Sequence, residues 1–274
     1  MDQRPLALVT GASAGIGAEY ARQLAARGHD VVLTARRRDR LEALATELRD
    51  TFAVETWVMP ADLADASSIP QLLDQLNDLN RPFTTLVNNA GYALTGHYQD
   101  ASWADQARFL KIMVEAVAEL SHALLPAMQA QGHGRIINVA SLAGIVPGSA
   151  GHTLYAASKA FLIKFSESLA LENVNTGVRV QALCPGFTYS EFHDVSGTRQ
   201  QMASLPRYMW MTAEAVVTES LDALDRQNSP IMLVSGRVNR LLTWLSRKLP
   251  YTTTVRIIAR RSQQFRKRPE ETQA

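Results

Sequence analysis

The chain has 274 residues, 46% of them apolar and 20% charged, with a formal net charge of +2; this is ordinary globular composition, long enough for one large α/β domain with a sizeable core. Its one cysteine, Cys184, forms neither an internal disulfide nor a cysteine metal cluster, so zinc chemistry is not expected and a reducing compartment fits better than an oxidising one. No stretch approaches the roughly 18 uncharged apolar residues of a membrane-crossing helix, and the opening MDQRPLALVTGASAGIG lacks the apolar region of a signal peptide, so a cytoplasmic location is the expectation.

Residues 6–9 form a short apolar run that stops at a glycine-rich turn, and residues 18–27 follow with helical spacing. The turn reads Thr10-Gly11-Ala12-Ser13-Ala14-Gly15-Ile16-Gly17, placed where the N–H groups and positive dipole end of a helix meet a dinucleotide pyrophosphate. Glycines remove the side chains that block that approach. Taken alone, three glycines make a simple turn equally well.

Residues 31–34 read as a second buried strand, completing a βαβ unit with the helix at 38–50, where Leu41, Leu44 and Leu48 recur at helical intervals. A protein that selects NAD usually presents an acidic residue after this strand, but this chain reads Leu33-Thr34-Ala35-Arg36-Arg37-Arg38. Guanidinium groups there suit a 2′-phosphate, Arg36 first and Arg37 second, which makes NADP(H) the expected cofactor. The bland alternative is a solvated helix start.

The alternation continues with an apolar run at 56–59, a helix at 67–79, strands at 85–87 and 136–139 flanking a long helix at 103–128, and a helix at 156–173. A strand at 178–183, a helix at 213–225 and a strand at 231–234 close the pattern. Seven strands joined by helices require right-handed crossovers, which predicts a doubly wound, Rossmann-type parallel sheet with helices on both faces and ligands at the carboxyl ends of the strands. Residues 1–236 are expected to form the dinucleotide-binding catalytic domain and residues 237–274 a basic helical extension of it.

Tyr155-Ala156-Ala157-Ser158-Lys159 opens a predicted helix, so Tyr155 and Lys159 share one face within mutual reach. A phenol with a pKa near 10 is a poor catalyst at neutral pH, and a nearby ammonium is expected to lower that value. Ser141, at the end of strand 136–139, is placed to hydrogen-bond a substrate oxygen whose charge changes during reaction.

With Asn88-Asn89-Ala90-Gly91 after one strand and Pro185-Gly186 after another, the order of motifs over residues 6–192 resembles the short-chain dehydrogenase/reductase family, including the G-x-x-x-G-x-G spacing of its turn. The resemblance implies that Gly11, Ser13, Ala14, Gly15, Ile16 and Gly17 hold the pyrophosphate and that Asp62, beside Leu63, meets the adenine. It further implies that Asn89, Ala90 and Gly91 support the cofactor, that Pro185-Gly186 lies beside the nicotinamide and that Thr188 lies near its carboxamide. Tyr155 would be the acid/base, Lys159 would also bind the nicotinamide ribose, and Ser141 would bind the reacting oxygen. By themselves Asp62 reads as a helix cap and Thr188 as a turn residue. The implied activity is hydride transfer between nicotinamide and a carbonyl or alcohol, in a homodimer or homotetramer formed through the helices that start near Trp103 and Tyr155. The branch most resembled, that of hydroxysteroid dehydrogenases and 3-ketoacyl reductases, suggests an apolar ketone.

One position departs from the family. Met113 stands where an asparagine normally completes the catalytic tetrad, and a thioether cannot replace an amide in holding a relay water. A rival reading is therefore a dinucleotide-sensing module with little turnover.

Residues 189–211 are rich in Met, Trp and Tyr; Met202, Leu205, Tyr208, Met209 and Trp210 are candidates for an apolar substrate wall, with Phe187, His152 and His193 also placed to face substrate. Residues 226–269 hold eleven Lys/Arg and no Asp or Glu, against 24 acidic and 17 basic side chains in residues 1–225. Residues 238–246 and 253–265 alternate apolar residues with arginine, as basic amphipathic helices do. Three readings stay open: packing on the acidic body or another subunit, contact with an anionic membrane, or contact with an acidic carrier protein or coenzyme A. Nucleic acid is not expected, because the body is acidic and carries no helix-turn-helix or finger signature.

Overall fold

The computed structural model describes residues 3–191 and 206–261. Seven parallel strands form one sheet in the order β3-β2-β1-β4-β5-β6-β9: β1 Leu6–Thr10, β2 Asp30–Thr34, β3 Thr56–Val58, β4 Phe83–Asn88, β5 Gly134–Val139, β6 Val178–Cys184 and β9 Met232–Val234. The doubly wound sheet expected from the alternating pattern is present, and the last apolar run closes it by pairing with β6.

Period-two alternation sorts the strand side chains between two cores. Ala7, Val9, Val31 and Leu33 pack with Leu24 of α1 (Gly15–Ala26), Leu41 of α2 (Arg38–Phe52) and Leu221 of α7 (Ala213–Asp225). On the other face Leu6, Leu8 and Val32 meet Leu72 and Leu76 of α3 (Ser68–Asp78) and Leu120 and Leu124 of α5 (Ala116–Ala130). The chain order reverses at β1, whose neighbours are β2 and β4. A crevice opens at that switch point, outside the carboxyl ends of both strands.

Two local features were not expected, and a third agrees with the helix expected to open at Tyr155. The long helix at 103–128 is α4 (Trp103–Leu110) and α5 joined by a π-helical turn, Lys111–Glu115, which places Met113 at its centre. Such turns insert one residue into the helical ladder. A short parallel pair, β7 (Phe187–Tyr189) with β8 (Trp210–Thr212), follows the Pro-Gly turn. The helix carrying Tyr155, α6 (Thr153–Glu172), starts early enough to hold that residue in its first turn.

Two further helices follow the sheet, α8 (Arg237–Lys248) and α9 (Tyr251–Arg261); Phe265, at the end of the expected second helix, lies outside the described residues. The amphipathicity of α8 is turned outward. Its buried positions are the polar Asn239 and Thr243, while Leu241 and Trp244 are 56% and 55% exposed. Among the described residues no helix is long and apolar enough to cross a membrane, and no group of three His, Cys, Asp or Glu is placed to hold a metal ion.

Candidate active site

The turn after β1 is built from close backbone approaches. Gly11 and Gly15 have φ of +65° and +56°, which favour glycine, and a Cβ on Gly11 would lie 2.7 Å from Asn89 Nδ2. Asn89 fixes the turn by donating through Nδ2 to the carbonyls of Thr10 and Gly11 at 3.0 and 3.2 Å. Its backbone N–H and that of Ala90 donate to Thr10 Oγ1, which in turn donates to the Val87 carbonyl. The Asn-Asn-Ala-Gly run is thus a brace for the glycine turn. Helix α1 begins on this turn without a side-chain cap and without an acidic residue in its first turn, leaving its N–H groups suited to a phosphate.

A single cavity of about 580 Å³ runs from this turn across the strand ends. Its wall contains Gly11, Ser13, Ala14, Gly15, Ile16, Arg36, Arg37, Asp62, Leu63, Asn89, Ala90 and Gly91 toward one end. Ser141, Tyr155, Lys159, Pro185, Gly186 and Thr188 stand toward the other. Of the candidate cofactor-binding and catalytic residues, Gly17 alone is not in the wall. It lies beneath the turn, where a Cβ would come within 2.3 Å of the Gly11 carbonyl oxygen, so its part is close packing rather than lining.

The arginine run is divided in its contacts. Arg36 is exposed in the cavity wall, with no hydrogen bond or ion pair among the described residues. Arg37 donates through Nε and Nη2 to Ser13 Oγ at 3.3 and 3.0 Å and pairs through Nη1 with Glu191 at 3.1 Å. Arg40 pairs with the other Glu191 oxygen at 2.5 Å. Neither Arg40 nor Glu191 was singled out in the sequence; Arg40 belongs to the same basic run, but no local signal marks Glu191. Asp62 pairs with Arg108 and accepts from the Ala64 N–H at 3.1 Å.

At the other end, Ser141 Oγ accepts from the Ala143 N–H at 3.2 Å, which leaves its own hydrogen for the Tyr155 phenol. Lys159 is buried and donates to the Val139 carbonyl at 2.6 Å, its Nζ 5.7 Å from the centroid of the Tyr155 ring. The net shift of the phenol is the reverse of the one expected from the Tyr-Lys spacing. Desolvation by the cavity wall raises the Tyr155 pKa, opposed by the Ser141 hydrogen bond. Burial also lowers Lys159 to about 8, so the amine itself resists charging. A proton therefore sits on the phenol at neutral pH.

Met113 is 1% exposed, and its Sδ would lie 2.8 Å from a Cβ on Gly91. It fills the space beneath the Asn-Asn-Ala-Gly run with a thioether. Behind it, Asn88 Nδ2 donates to Asn138 Oδ1 and Ser121 Oγ, and Asn138 Nδ2 donates to Ser166 Oγ at 2.9 Å. This buried network, unanticipated in the sequence, ties β4 and β5 to α5 and α6.

His152 and Phe187 line the cavity, with Leu142 and Val146 beside them; His193, Met202 and Leu205 lie outside the described residues. The expected substrate roles of Tyr208, Met209 and Trp210 are not met by the cavity wall. Tyr208 is exposed, and Trp210 stacks on Tyr189 at 4.8 Å and packs on Phe187 at 5.6 Å, bracing the β7–β8 pair.

Residues 5–201 match the family model described as short chain dehydrogenase. Sulfoacetaldehyde reductase 2 of Chromohalobacter salexigens is 37% identical over 73% of this chain and 79% of its own length. Very-long-chain 3-oxoacyl-CoA reductase of Anas platyrhynchos is 30% identical over 96% of this chain and 81% of its own. Among solved structures, a short-chain dehydrogenase from Sphingobium yanoikuyae in complex with NADPH superposes with a TM-score of 0.78 at 31% identity, covering 90% of this chain and 96% of that one.

Proposed function

The chain belongs to the short-chain dehydrogenase family of oxidoreductases, and from that premise we propose that it is an NADP(H)-dependent reductase of apolar ketones. The observation that carries this reading is that one cavity joins the glycine turn and Arg36/Arg37 to the Ser141, Tyr155 and Lys159 cluster. The glycine cradle and the uncapped start of α1 fit a pyrophosphate, while Arg36 and Arg37, with no acidic residue at the end of β2, fit a 2′-phosphate.

Nicotinamide, when bound, supplies the hydride. The protein supplies the rest. Ser141 orients and polarises the carbonyl oxygen, Tyr155 donates its proton to that oxygen as the carbon is reduced, and Lys159 stabilises the phenolate left behind. A phenol that burial keeps protonated is suited to this acid role, which favours reduction over oxidation near neutral pH. Buried Met113 supplies no amide for a relay water; the binding-module reading rests on that position alone.

The substrate end of the cavity presents Leu142, Val146 and Phe187, and among the described residues its cationic groups are Lys159 there and Arg36 and Arg37 at the far end. An acyl chain, a steroid-like ring or another lipid ketone suits this wall better than a small anion. Titration with NADPH and NADH, followed by assays on apolar ketones, tests the proposal. We expect NADPH to bind at least about tenfold more tightly, equivalent to ~1.4 kcal/mol, with turnover on the apolar ketones. Tighter NADH binding would remove the role given to the arginines.

The outward face of α8 is proposed to rest on an anionic membrane surface. Leu241, Trp244 and Leu245 are exposed, Lys248 Nζ lies 5.8 Å from the Trp244 ring centroid, and Arg247 flanks the stripe, as does Arg240, which also pairs with Glu219 at 3.2 Å. A symmetric contact between two copies would oppose like charges across this face, whereas acidic lipid headgroups complement them. The chain is expected to sediment with phosphatidylglycerol vesicles, less so in high salt, and not when Leu241→Glu and Trp244→Glu are combined. Equal retention on neutral phosphatidylcholine vesicles, or self-association through this face without vesicle binding, would sink the proposal. Homodimers or tetramers are assigned to α4 and α6, where Trp103 and Leu171 are exposed.

A further inference from the structure

We propose that Glu191 is a specificity-determining residue, its carboxylate competing with the 2′-phosphate of NADPH for the Arg37–Arg40 fork and offering the ribose hydroxyls of NADH the acceptor that β2 lacks. The inference rests on the NADP(H) reading above and refines it: the chain accepts both dinucleotides, and the margin between them is set by a residue distant in sequence from the arginines.

The geometry is specific. Both Glu191 oxygens are engaged, Oε2 by Arg37 Nη1 at 3.1 Å and Oε1 by Arg40 Nη1 at 2.5 Å. Arg37 is also held by Ser13 of the glycine turn, so the fork, the turn and Glu191 form one cluster in the cavity wall. Glu191 reaches that cluster because residues 187–191 run back from the Pro-Gly turn over the phosphate cradle. A Cβ on Gly15 would lie 3.0 Å from Ser190 Cβ. The two guanidiniums hold the Glu191 carboxyl below its usual range, Arg40 most and Arg37 next, so it is charged at neutral pH.

A phosphate monoester and a carboxylate compete for the same N–H donors, and the phosphate carries more charge. Glu191 and both arginines are about 40% exposed or more, and ion pairs in such positions are individually weak. NADPH therefore displaces Glu191, at a cost in affinity that NADH does not bear. NADH leaves the fork closed, and its ribose 2′-hydroxyl finds a carboxylate beside it.

Glu191→Gln removes the competing charge at an exposed position and keeps the side-chain volume. We expect its Kd for NADPH to fall about tenfold relative to the parent chain, with the Kd for NADH unchanged or raised, both measured by fluorescence titration. Arg37→Ala is expected to weaken NADPH at least tenfold, and Glu191→Gln added to an Arg37→Ala/Arg40→Ala background to give no gain. An unchanged or raised Kd for NADPH in Glu191→Gln, with Arg37→Ala still selectively damaging to NADPH, overturns the role of Glu191 and leaves the NADP(H) reading standing. If Arg37→Ala and Arg36→Ala leave NADPH and NADH binding unaltered, the NADP(H) reading itself fails. A change of equal size and sign for both dinucleotides in Glu191→Gln marks a merely structural effect and also overturns the proposal.

Discussion

Tyr155→Phe is expected to lower kcat for ketone reduction about 10³-fold, or ~4 kcal/mol in the barrier, while leaving the Kd for NADPH within about twofold. The substitution keeps the ring that packs near His152 at 6.3 Å and deletes only the hydroxyl bonded to Ser141. Steady-state assays paired with a binding titration check it. If kcat survives, the proton comes from elsewhere; if no substrate turns over in the parent chain and the variant is silent, the chain is a binding module. The pH profile adds a second signature. Lys159, at about 8, loses its charge above that pH, and with it the stabilisation of the Tyr155 phenolate. Reductive kcat/KM is therefore expected to be level below pH 8 and to fall above it. Unfolding driven by this lysine does not explain such a fall. Its folded pKa lies below the ordinary lysine value of 10.5, so between about 8 and 10.5 the unfolded chain binds the extra proton and this group's contribution to stability rises with pH.

What the sequence disclosed depended on how far apart the interacting residues are. Local patterns carried the sheet: the run Leu6, Ala7, Leu8 and Val9, four consecutive letters, supplies two cores alternately, and the turn from Gly11 to Gly17 marks its own strand-to-helix junction. The Tyr155 and Lys159 pair is legible for the same reason, being one helical turn apart. Glu191 is not, because it meets Arg37 and Arg40 across 154 and 151 positions of chain. The direction of the Tyr155 shift was missed because spacing reports proximity to an amine but not desolvation, and burial raises the phenol against only the Ser141 hydrogen bond. Helix α8 shows a third limit. Periodicity reveals an apolar stripe but not which way it faces, and here Asn239 anchors the inner side by donating to the Ser235 carbonyl at 2.8 Å.

Gly17→Ala is expected to abolish measurable dinucleotide binding, by at least 100-fold, and to destabilise the fold by about 1–3 kcal/mol, as overpacking does. Its added Cβ would sit 2.3 Å from the Gly11 carbonyl oxygen and 2.4 Å from Asn89 Nδ2. Neither neighbour yields easily. The Gly11 carbonyl accepts from Asn89, and Asn89 is held at its other end by the bond from its N–H to Thr10 Oγ1. Relief requires α1 to move off the sheet, which widens the cradle and turns its N–H groups away from the phosphates. Gly148→Ala is the matched control, since nothing lies within 4 Å of a Cβ there; it is expected to leave both Tm and NADPH binding unchanged. Thermal denaturation and NADPH titration of the two variants separate packing from mere loss of a glycine. A Gly17→Ala chain that binds NADPH like the parent would mean that the turn does not seat the pyrophosphate, and the cofactor site would have to be placed elsewhere along the strand ends.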